Sequence, residues 1–305
     1  MLELKGVIPA LTTPFREDRS LDLDGYRELV EMVIRDGVHG IVPNGCTGES
    51  WALDNDERAA IFKATVEQSA GRVPVVPGCG AMSAEASIAK VRQAEKAGCD
   101  AVMIQPPWYV MPSEPEVYDY YKEIIEASEL PVMVYNIPRR TGINLSVDLV
   151  DRLADEPKGI ALKESSKDWL LLSQIIRCVK DRINVLCGYA NLLGLAAITE
   201  GAVGYVDSST PVLGRRSIEF YEAATSGDTE KARPLQMAMS SLNAGFFGVG
   251  TFPAGIKVAL DMLGRPGGWP RPPIKALDDG QREQIRDVLV SAGLLDDAGD
   301  ERVTA

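Results

Sequence analysis

Histidine is nearly absent from this sequence: among 305 residues there is one, His39. Catalytic zinc sites and Ser-His-Asp hydrolases use histidine as a metal ligand or as a general base. A single histidine excludes a multi-histidine metal site, and it allows a hydrolase only with His39 as the base. His39 stands at the entry of a short apolar run, and we expect a structural or solvent-facing role for it.

Cysteine and long apolar segments are also scarce. Five cysteines are present without a Cys-x-x-Cys pair, which argues against a disulfide scaffold and against structural zinc. No apolar run approaches the roughly 18 residues that a membrane span needs, and the first residues lack the basic and apolar regions of a signal peptide. We therefore expect a cytoplasmic protein with no membrane partner.

Positive charge is in deficit. The chain has 32 Lys and Arg against 44 Asp and Glu, for a formal net charge of −12. Nucleic acids and anionic membranes are bound by basic surfaces, so this balance disfavours both as partners. It does not exclude a small anionic substrate, because a few cations converging in one pocket make that pocket locally positive.

What the sequence does contain is a regular alternation of short apolar runs and amphipathic stretches. The runs are rich in Val, Ile and Leu, as is typical of strands buried on both faces. The stretches between them begin at helix-capping residues, such as Asp54 with Glu57 three residues later, and Ser83. This alternation predicts a parallel sheet with crossover helices. The eight runs span residues 6–11, 40–43, 73–77, 101–105, 131–135, 159–163, 184–187 and 204–207.

Eight strand–helix units closing on themselves predict a (β/α)₈ TIM barrel. The alternative is a doubly wound open sheet, against which no Gly-x-Gly-x-x-Gly follows the first run. After Thr210 the strand signals stop and helical patterns take over. We predict a barrel catalytic domain over residues 1–212 and a C-terminal helical extension packed on it over residues 213–305, with a frayed end from residue 296.

The active sites of such barrels lie at the carboxyl ends of the strands. The sixth run ends with Lys163, whose position predicts an amine in the barrel mouth. Desolvation there would lower the lysine pKa and favour a nucleophilic role. The alternative is a structural ion pair with Glu164 or another acid.

Other strand ends carry further candidates. Tyr135 closes the fifth run, next to the strand of Lys163, and a phenol there can move protons. Arg140 follows in a proline-anchored loop and can hold a carboxylate. Thr47 lies in a glycine-flanked loop after the second run and can bind an anion with its hydroxyl and neighbouring N–H groups. Taken singly, each has an equally ordinary structural explanation: a core tyrosine, a surface arginine and a tight turn.

Together these segments resemble the dihydrodipicolinate synthase/N-acetylneuraminate lyase family of class I aldolases, over nearly the whole chain. The resemblance rests on Gly-Cys-Thr-Gly-Glu at 45–49, Tyr-Asn-Ile-Pro at 135–138 and Ala-Leu-Lys-Glu-Ser at 161–165. It implies a Schiff base between Lys163 and pyruvate or another 2-oxo acid, with Tyr135 moving protons. No metal or organic cofactor is expected.

The resemblance also implies a binding site and an assembly. Gly45, Cys46 and Thr47 would bind the carboxylate of the 2-oxo acid, and Gly188 and Val206 would line the pocket with their backbone. In the synthase branch, the residue at Arg140 holds the carboxylate of aspartate semialdehyde, and the one at Tyr109 reaches across a dimer interface. Members are typically tetramers, so we expect a homotetramer built as a dimer of dimers.

One residue departs from the synthase pattern. Cys46 stands where synthases place a Thr or Ser that relays protons between two tyrosines, and a thiol is a weaker donor. The aldehyde or sugar-acid co-substrate therefore stays open. The alternatives are a 2-keto-3-deoxy sugar acid aldolase or dehydratase, a cyclic imino acid deaminase, and a non-catalytic ligand-binding relative.

Overall fold

A parallel six-stranded sheet forms the centre of the computed structural model, which describes residues 2–296. The order of the strands is β1-β6-β5-β4-β3-β2, so consecutive strands are neighbours throughout except where β1 meets β6. Residues 297–305, in the predicted frayed end, lie outside the described residues. The strands are β1 Gly6–Pro9, β2 Val102–Ile104, β3 Val132–Asn136, β4 Gly159–Glu164, β5 Asn184–Cys187 and β6 Gly204–Asp207.

The second and third predicted strands appear as isolated parallel bridges rather than as ladders. Ala10 of the β1 segment pairs with Val42, Ile41 pairs with Val75, and Gly78 pairs with Met103 of β2. Prolines at 43, 74 and 77 interrupt these two segments. Proline has no N–H to donate, but backbone hydrogen bonds still join these segments, as from the Val76 N–H to the Ile41 carbonyl at 2.9 Å and from the Gly78 N–H to the Pro43 carbonyl at 3.0 Å. The two runs therefore take the predicted places between β1 and β2 without forming full strands.

Helices follow the strands and cover the sheet. Asp54 caps its helix with Glu57 in a capping box, and Ser83 caps the next, as predicted. The first helix is capped by Asp22, whose side chain accepts the free N–H of Gly25. The helices are α1 Leu23–Asp36, α2 Asn55–Ser69, α3 Ala84–Ala97, α4 Glu114–Ala127, α5 Pro138–Thr141, α6 Val147–Leu153, α7 Trp169–Val179, α8 Ala190–Glu200, α9 Thr210–Leu213, α10 Arg215–Ser226, α11 Thr229–Gly248, α12 Ala254–Met262 and α13 Asp279–Ser291, with a 3₁₀ turn at Ser50–Ala52.

The side-chain alternation of the strands sorts the core into two layers. On β3 and β4, Met133 and Ala161 belong to an inner cluster of buried apolar residues, whereas Val134 and Leu162 pack in the outer cluster with the helices. Lys163 follows Leu162 and so projects with the inner set, on the same side as Ala161. The sequence thus places the amine of Lys163 on the inner face of the sheet.

The C-terminal part is helical, as predicted. Helix α11 packs against α8, α10 and α13, and α12 packs against α9 and α13. The boundary predicted between residues 212 and 213 stays a prediction. Within residues 2–296, no helix is both long enough and apolar enough to cross a bilayer.

Candidate active site

Lys163 lies one residue before the end of β4, and its side chain is 5 % exposed. Burial lowers the pKa of its amine to about 8. Among the ion pairs formed by residues 2–296, none involves Lys163. Its Nζ lies 4.3 Å from the centre of the Tyr135 ring. The site therefore holds a desolvated amine next to a phenol, and no ion pair among the described residues fixes it as an ammonium.

The ion-pair alternative for Lys163 is not realised with Glu164. The Glu164 carboxylate accepts hydrogen bonds from Asn136 Nδ2 at 3.1 Å and from the Ser166 N–H at 2.7 Å. Burial raises the pKa of this carboxyl. Because adjacent residues of a strand face opposite sides, Glu164 is directed away from the amine. Its role here is to tie the ends of β3 and β4 together.

Tyr135 is the direct neighbour of Lys163 across the β3–β4 ladder. Its ring is 5 % exposed, and burial raises the pKa of its hydroxyl well above the usual value. The hydroxyl is therefore protonated at neutral pH. A protonated phenol beside a nucleophilic amine is suited to donate a proton and take it back.

A cavity of about 430 Å³ opens above these two side chains. It brings together most of the residues predicted from the sequence, namely Cys46, Thr47, Tyr135, Arg140, Lys163, Gly188 and Val206. Ala10, Ile137, Arg139, Ser165, Tyr189, Ser208, Phe247 and Phe252 complete its wall. The sequence reasoning missed the aromatic part of this wall, since Phe247 and Phe252 come from the C-terminal helical region.

A second, larger cavity of about 840 Å³ adjoins the first. The two share Cys46, Tyr135, Ile137 and Arg140, and the larger one continues past Gly45 to Trp51, Lys90 and Trp108. Lys163 does not line it, so the amine chemistry belongs to the smaller cavity. Cys46 stands at the junction, in contact with both spaces.

Tyr109 lines neither of the two cavities. Its side chain is 90 % exposed, and its backbone is left-handed with φ 74°. Its neighbours Val110 and Met111 are also exposed. The predicted role of Tyr109 across a subunit interface therefore stays a prediction.

Gly188 is at a position where any side chain would force its neighbours to shift. A Cβ there would lie 1.7 Å from the Ser165 Oγ and 2.7 Å from the Glu164 carbonyl oxygen. The Gly188 N–H donates to that same carbonyl at 2.6 Å. The glycine thus lets β5 close against the end of β4, beside Lys163.

A buried ion pair between Glu49 and Lys257 anchors the loop that carries Thr47. Glu49, in a left-handed conformation with φ 52°, is fully buried, and its Oε1 lies 2.5 Å from Lys257 Nζ on α12. The Lys257 ammonium also donates to the carbonyls of Thr13 and Trp269, each at 2.7 Å. This pairing was not predictable from the sequence, because Lys257 lies on a helix more than 200 residues after Glu49 and no local pattern links the two.

Asp207 ends β6, interacts electrostatically with Lys163 and was also missed. Burial raises its carboxyl pKa, and the Ser209 N–H donates to it at 2.6 Å. Its negative charge opposes the fall in the Lys163 pKa.

Within residues 2–296, no three His, Cys, Asp or Glu side chains cluster in a way that could hold a metal ion.

His39 has a structural contact in keeping with its expected role. Its Nδ1 accepts the N–H of Val7 on β1 at 3.2 Å, and its ring packs edge-on against Tyr221. This contact is distant from the residues that line the two cavities.

Comparison with known proteins agrees with the resemblance. Residues 3–292 match the model of the dihydrodipicolinate synthetase family. The 4-hydroxy-tetrahydrodipicolinate synthase of Thermodesulfovibrio yellowstonii is 35 % identical over 293 residues, covering 95 % of this chain and 99 % of that protein. The enzyme of the same name from Phenylobacterium zucineum is 35 % identical over 292 residues, covering 95 % and 98 %.

Solved structures are similar over the same span. Dihydrodipicolinate synthase DapA-2 from Bacillus anthracis has a TM-score of 0.92 at 33 % identity, covering 95 % of this chain and 99 % of that one. YagE, a prophage protein of the dihydrodipicolinic acid synthase family from E. coli K12 in complex with pyruvate, has a TM-score of 0.91 at 30 % identity, with the same coverage.

Proposed function

The chain belongs to the dihydrodipicolinate synthetase family, an enzyme family of the class I aldolase type, and we propose that Lys163 forms an imine with pyruvate or a related 2-oxo acid. The observation that carries this proposal is the buried Lys163 amine, unpaired among the described residues and with its pKa lowered to about 8. At pH 7 about a tenth of such an amine is neutral, against less than about a thousandth of an ordinary lysine.

We propose that the strands close into an eight-stranded barrel. The bridges at Ala10–Val42, Ile41–Val75 and Gly78–Met103 support closure, because they run from one edge strand of the sheet to the other. The solved relatives support it as well. The barrel would comprise residues 1–212, with residues 213–305 as a helical extension.

The reaction begins with attack of the Lys163 amine on the ketone carbon of the 2-oxo acid. Loss of water then gives the imine, which withdraws electrons from the neighbouring carbon as a metal ion would otherwise do. Tyr135 supplies a proton to the departing oxygen and takes it back in the reverse step. Thr47 and the N–H groups of its loop, with Gly45 and Cys46, hold the carboxylate, and Gly188 and Val206 shape the wall beside it.

The second half of the reaction takes place on the Arg140 side of the cavity. Loss of a proton from the imine gives an enamine, whose carbon attacks an aldehyde co-substrate. Arg140 would hold an anionic group of that co-substrate. The curated relatives are named 4-hydroxy-tetrahydrodipicolinate synthase, and this is the activity that we propose to test first.

A sugar-acid aldolase or dehydratase of the same family is the second candidate. It is favoured by Cys46, which lines both cavities at the position where the synthase branch carries a relaying hydroxyl. A cyclic imino acid deaminase would use the same imine. A purely ligand-binding role is disfavoured because the amine of Lys163 and the phenol of Tyr135 are both in place.

We further propose a cytoplasmic homotetramer, assembled as a dimer of dimers. The exposed apolar surface of Tyr109, Val110 and Met111 supports a subunit contact at this loop. Adjacent large apolar side chains that are this exposed to solvent are typical of interaction sites.

Reduction with borohydride in the presence of pyruvate tests the imine directly. We expect one lysine to be modified, and peptide mass mapping to place the modification on Lys163. The control is Lys163→Ala, which should not be labelled. Equal labelling of the wild type and of this variant would refute the proposal.

A further inference from the structure

Three cations surround a group of aromatic rings in the wall of the smaller cavity: Arg139 and Arg140 line that cavity, and Lys167 contacts its aromatic residues. We call this side the mouth of the cavity. Arg139 Cζ lies 5.9 Å from the centre of the Phe247 ring, and Arg140 Cζ lies 5.7 Å from that of Phe252. Lys167 Nζ lies 4.5 Å from the ring of Tyr189 and 5.4 Å from that of Phe247. The Phe247 and Phe252 rings are stacked, with centres 4.8 Å apart. The cations are thus positioned on aromatic faces.

No carboxylate of the described residues forms an ion pair with these cations, Arg139, Arg140 and Lys167. The nearest acid in the sequence, Asp168, caps helix α7 by accepting the Leu171 N–H at 3.1 Å. The described residues lining the smaller cavity include no Asp or Glu. In a chain of net charge −12, three clustered and uncompensated cations mark a site for an anion.

The cations also act on one another and on the ring between them. The pKa of Lys167 is lowered by partial burial and by the positive charge of Arg139. Arg139 and Arg140 likewise counteract the rise that burial causes in the Tyr189 pKa. Such mutual repulsion is relieved when a negatively charged group binds between the cations, and it is relieved more by two negative charges than by one.

We propose that this mouth, formed by Arg139, Arg140 and Lys167 over Tyr189, Phe247 and Phe252, binds a co-substrate aldehyde whose remote end carries two negative charges. A phosphate monoester supplies such a tail in one compact group, and two carboxylates supply it in a more extended one. The inference rests on the proposed imine function and specifies its second substrate.

The reaction would proceed without any further reagent. The enamine carbon on Lys163 forms a bond with the aldehyde carbon, and the aldehyde oxygen takes up a proton. Water then hydrolyses the new imine, which returns the free amine and releases a 4-hydroxy-2-oxo acid with the anionic tail. The described residues of the cavity wall carry no acid that would repel a tail of higher negative charge, and the three cations suit such a tail.

A binding series of increasing charge tests the inference without requiring turnover. The ligands are glycerol, D-glycerate, sn-glycerol 3-phosphate and L-malate, titrated by calorimetry into the full-length enzyme after reduction with pyruvate and borohydride. We expect at least one of the two dianions to bind about 10-fold or more tighter than glycerate, and glycerol to bind least. Which dianion binds better distinguishes a phosphate tail from a dicarboxylate tail.

Two variants locate the effect at the mouth of the cavity. Arg139→Gln and Lys167→Gln should each weaken binding of the preferred dianion about 10-fold, the scale of one charge-assisted hydrogen bond, and change glycerol binding less than about 2-fold. Lys63→Gln, which removes an exposed charge on α2, is the matched control and should have no effect.

The inference is overturned if neither dianion binds better than glycerate, or if neither of the two mouth variants weakens dianion binding. Pyruvate labelling of Lys163 is measured in the same preparations. Labelling without dianion selectivity would reject this inference alone, whereas absence of labelling would reject the imine function.

Discussion

Two fully buried lysines with contrasting surroundings permit a direct test of the energetics of this fold. Burial lowers the pKa of both amines to about 8, but Lys257 has three oxygen partners, in Glu49, Thr13 and Trp269, whereas Lys163 has no ion-pair partner among the described residues. The same substitution at both positions, lysine to methionine, removes the ammonium and conserves most of the side-chain volume. We expect opposite effects on the free energy of unfolding.

Lys257→Met should destabilise the protein strongly. It leaves the buried carboxylate of Glu49 without its counter-ion, and breaking such a pair costs about 3–5 kcal/mol. For a chain of this size that corresponds to a fall in Tm of about 10 °C. Glu49→Gln should lose a comparable amount, and the double variant should lose clearly less than the sum of the two, because the partners are coupled.

Lys163→Met should stabilise the protein at neutral pH. Burial lowers the Lys163 pKa from 10.5 to about 8, so folding with a charged amine costs up to about 3 kcal/mol. Since the folded pKa is the lower one, the unfolded state binds more protons between pH 8 and 10.5. Wild-type stability relative to the variant should therefore rise with pH in that window, and the advantage of the variant should be largest below pH 8.

The assay is denaturant unfolding at pH 7 and at pH 10, with circular dichroism as the probe. The reasoning is refuted if Lys163→Met destabilises as much as Lys257→Met at pH 7. It is also refuted if Lys257→Met leaves the unfolding midpoint unchanged.

Three further predictions concern the reaction. Tyr135→Phe should lower kcat by about 10²–10⁴-fold with folding intact, since it removes the protonated phenol beside Lys163; a loss of less than about 3-fold would exclude a proton-transfer role. Gly188→Ala should destabilise the fold by about 1–3 kcal/mol and raise the KM for pyruvate, because its Cβ overlaps the Ser165 Oγ; an unchanged midpoint of unfolding would contradict the close approach. Cys46→Thr should raise kcat for condensation with aspartate semialdehyde; if the wild type is already an efficient synthase and the substitution adds nothing, Cys46 does not mark a changed substrate.

Much of the fold was predictable because strands buried on both faces are rich in Val, Ile and Leu. The runs ending at Tyr135, Lys163, Cys187 and Asp207 all became strands that end within a residue of the predicted place. The segments around Val42 and Val75 pair as isolated bridges rather than as full strands, and both contain prolines, which lack an N–H. Apolar composition alone does not register that loss.

The site was predictable where it depends on strand ends and was missed where it depends on distant contacts. Alternation along β4 was enough to direct Lys163 inward and Glu164 outward. The pairing of Glu49 with Lys257 joins segments that no local pattern connects. The aromatic wall of Phe247 and Phe252 likewise comes from the end of α11 and the segment after it, and its place follows only from helix packing against α8 and α13.

The central claim is that the unpaired, buried amine of Lys163 is the nucleophile. The most direct measurement is the rate of pyruvate imine formation as a function of pH, trapped with borohydride and quantified on the Lys163 peptide. We predict that the rate rises with pH and levels off with a midpoint near pH 8, as the amine loses its proton. A rate that keeps rising through pH 10, as for an ordinary lysine, or labelling on any other residue, would contradict the claim.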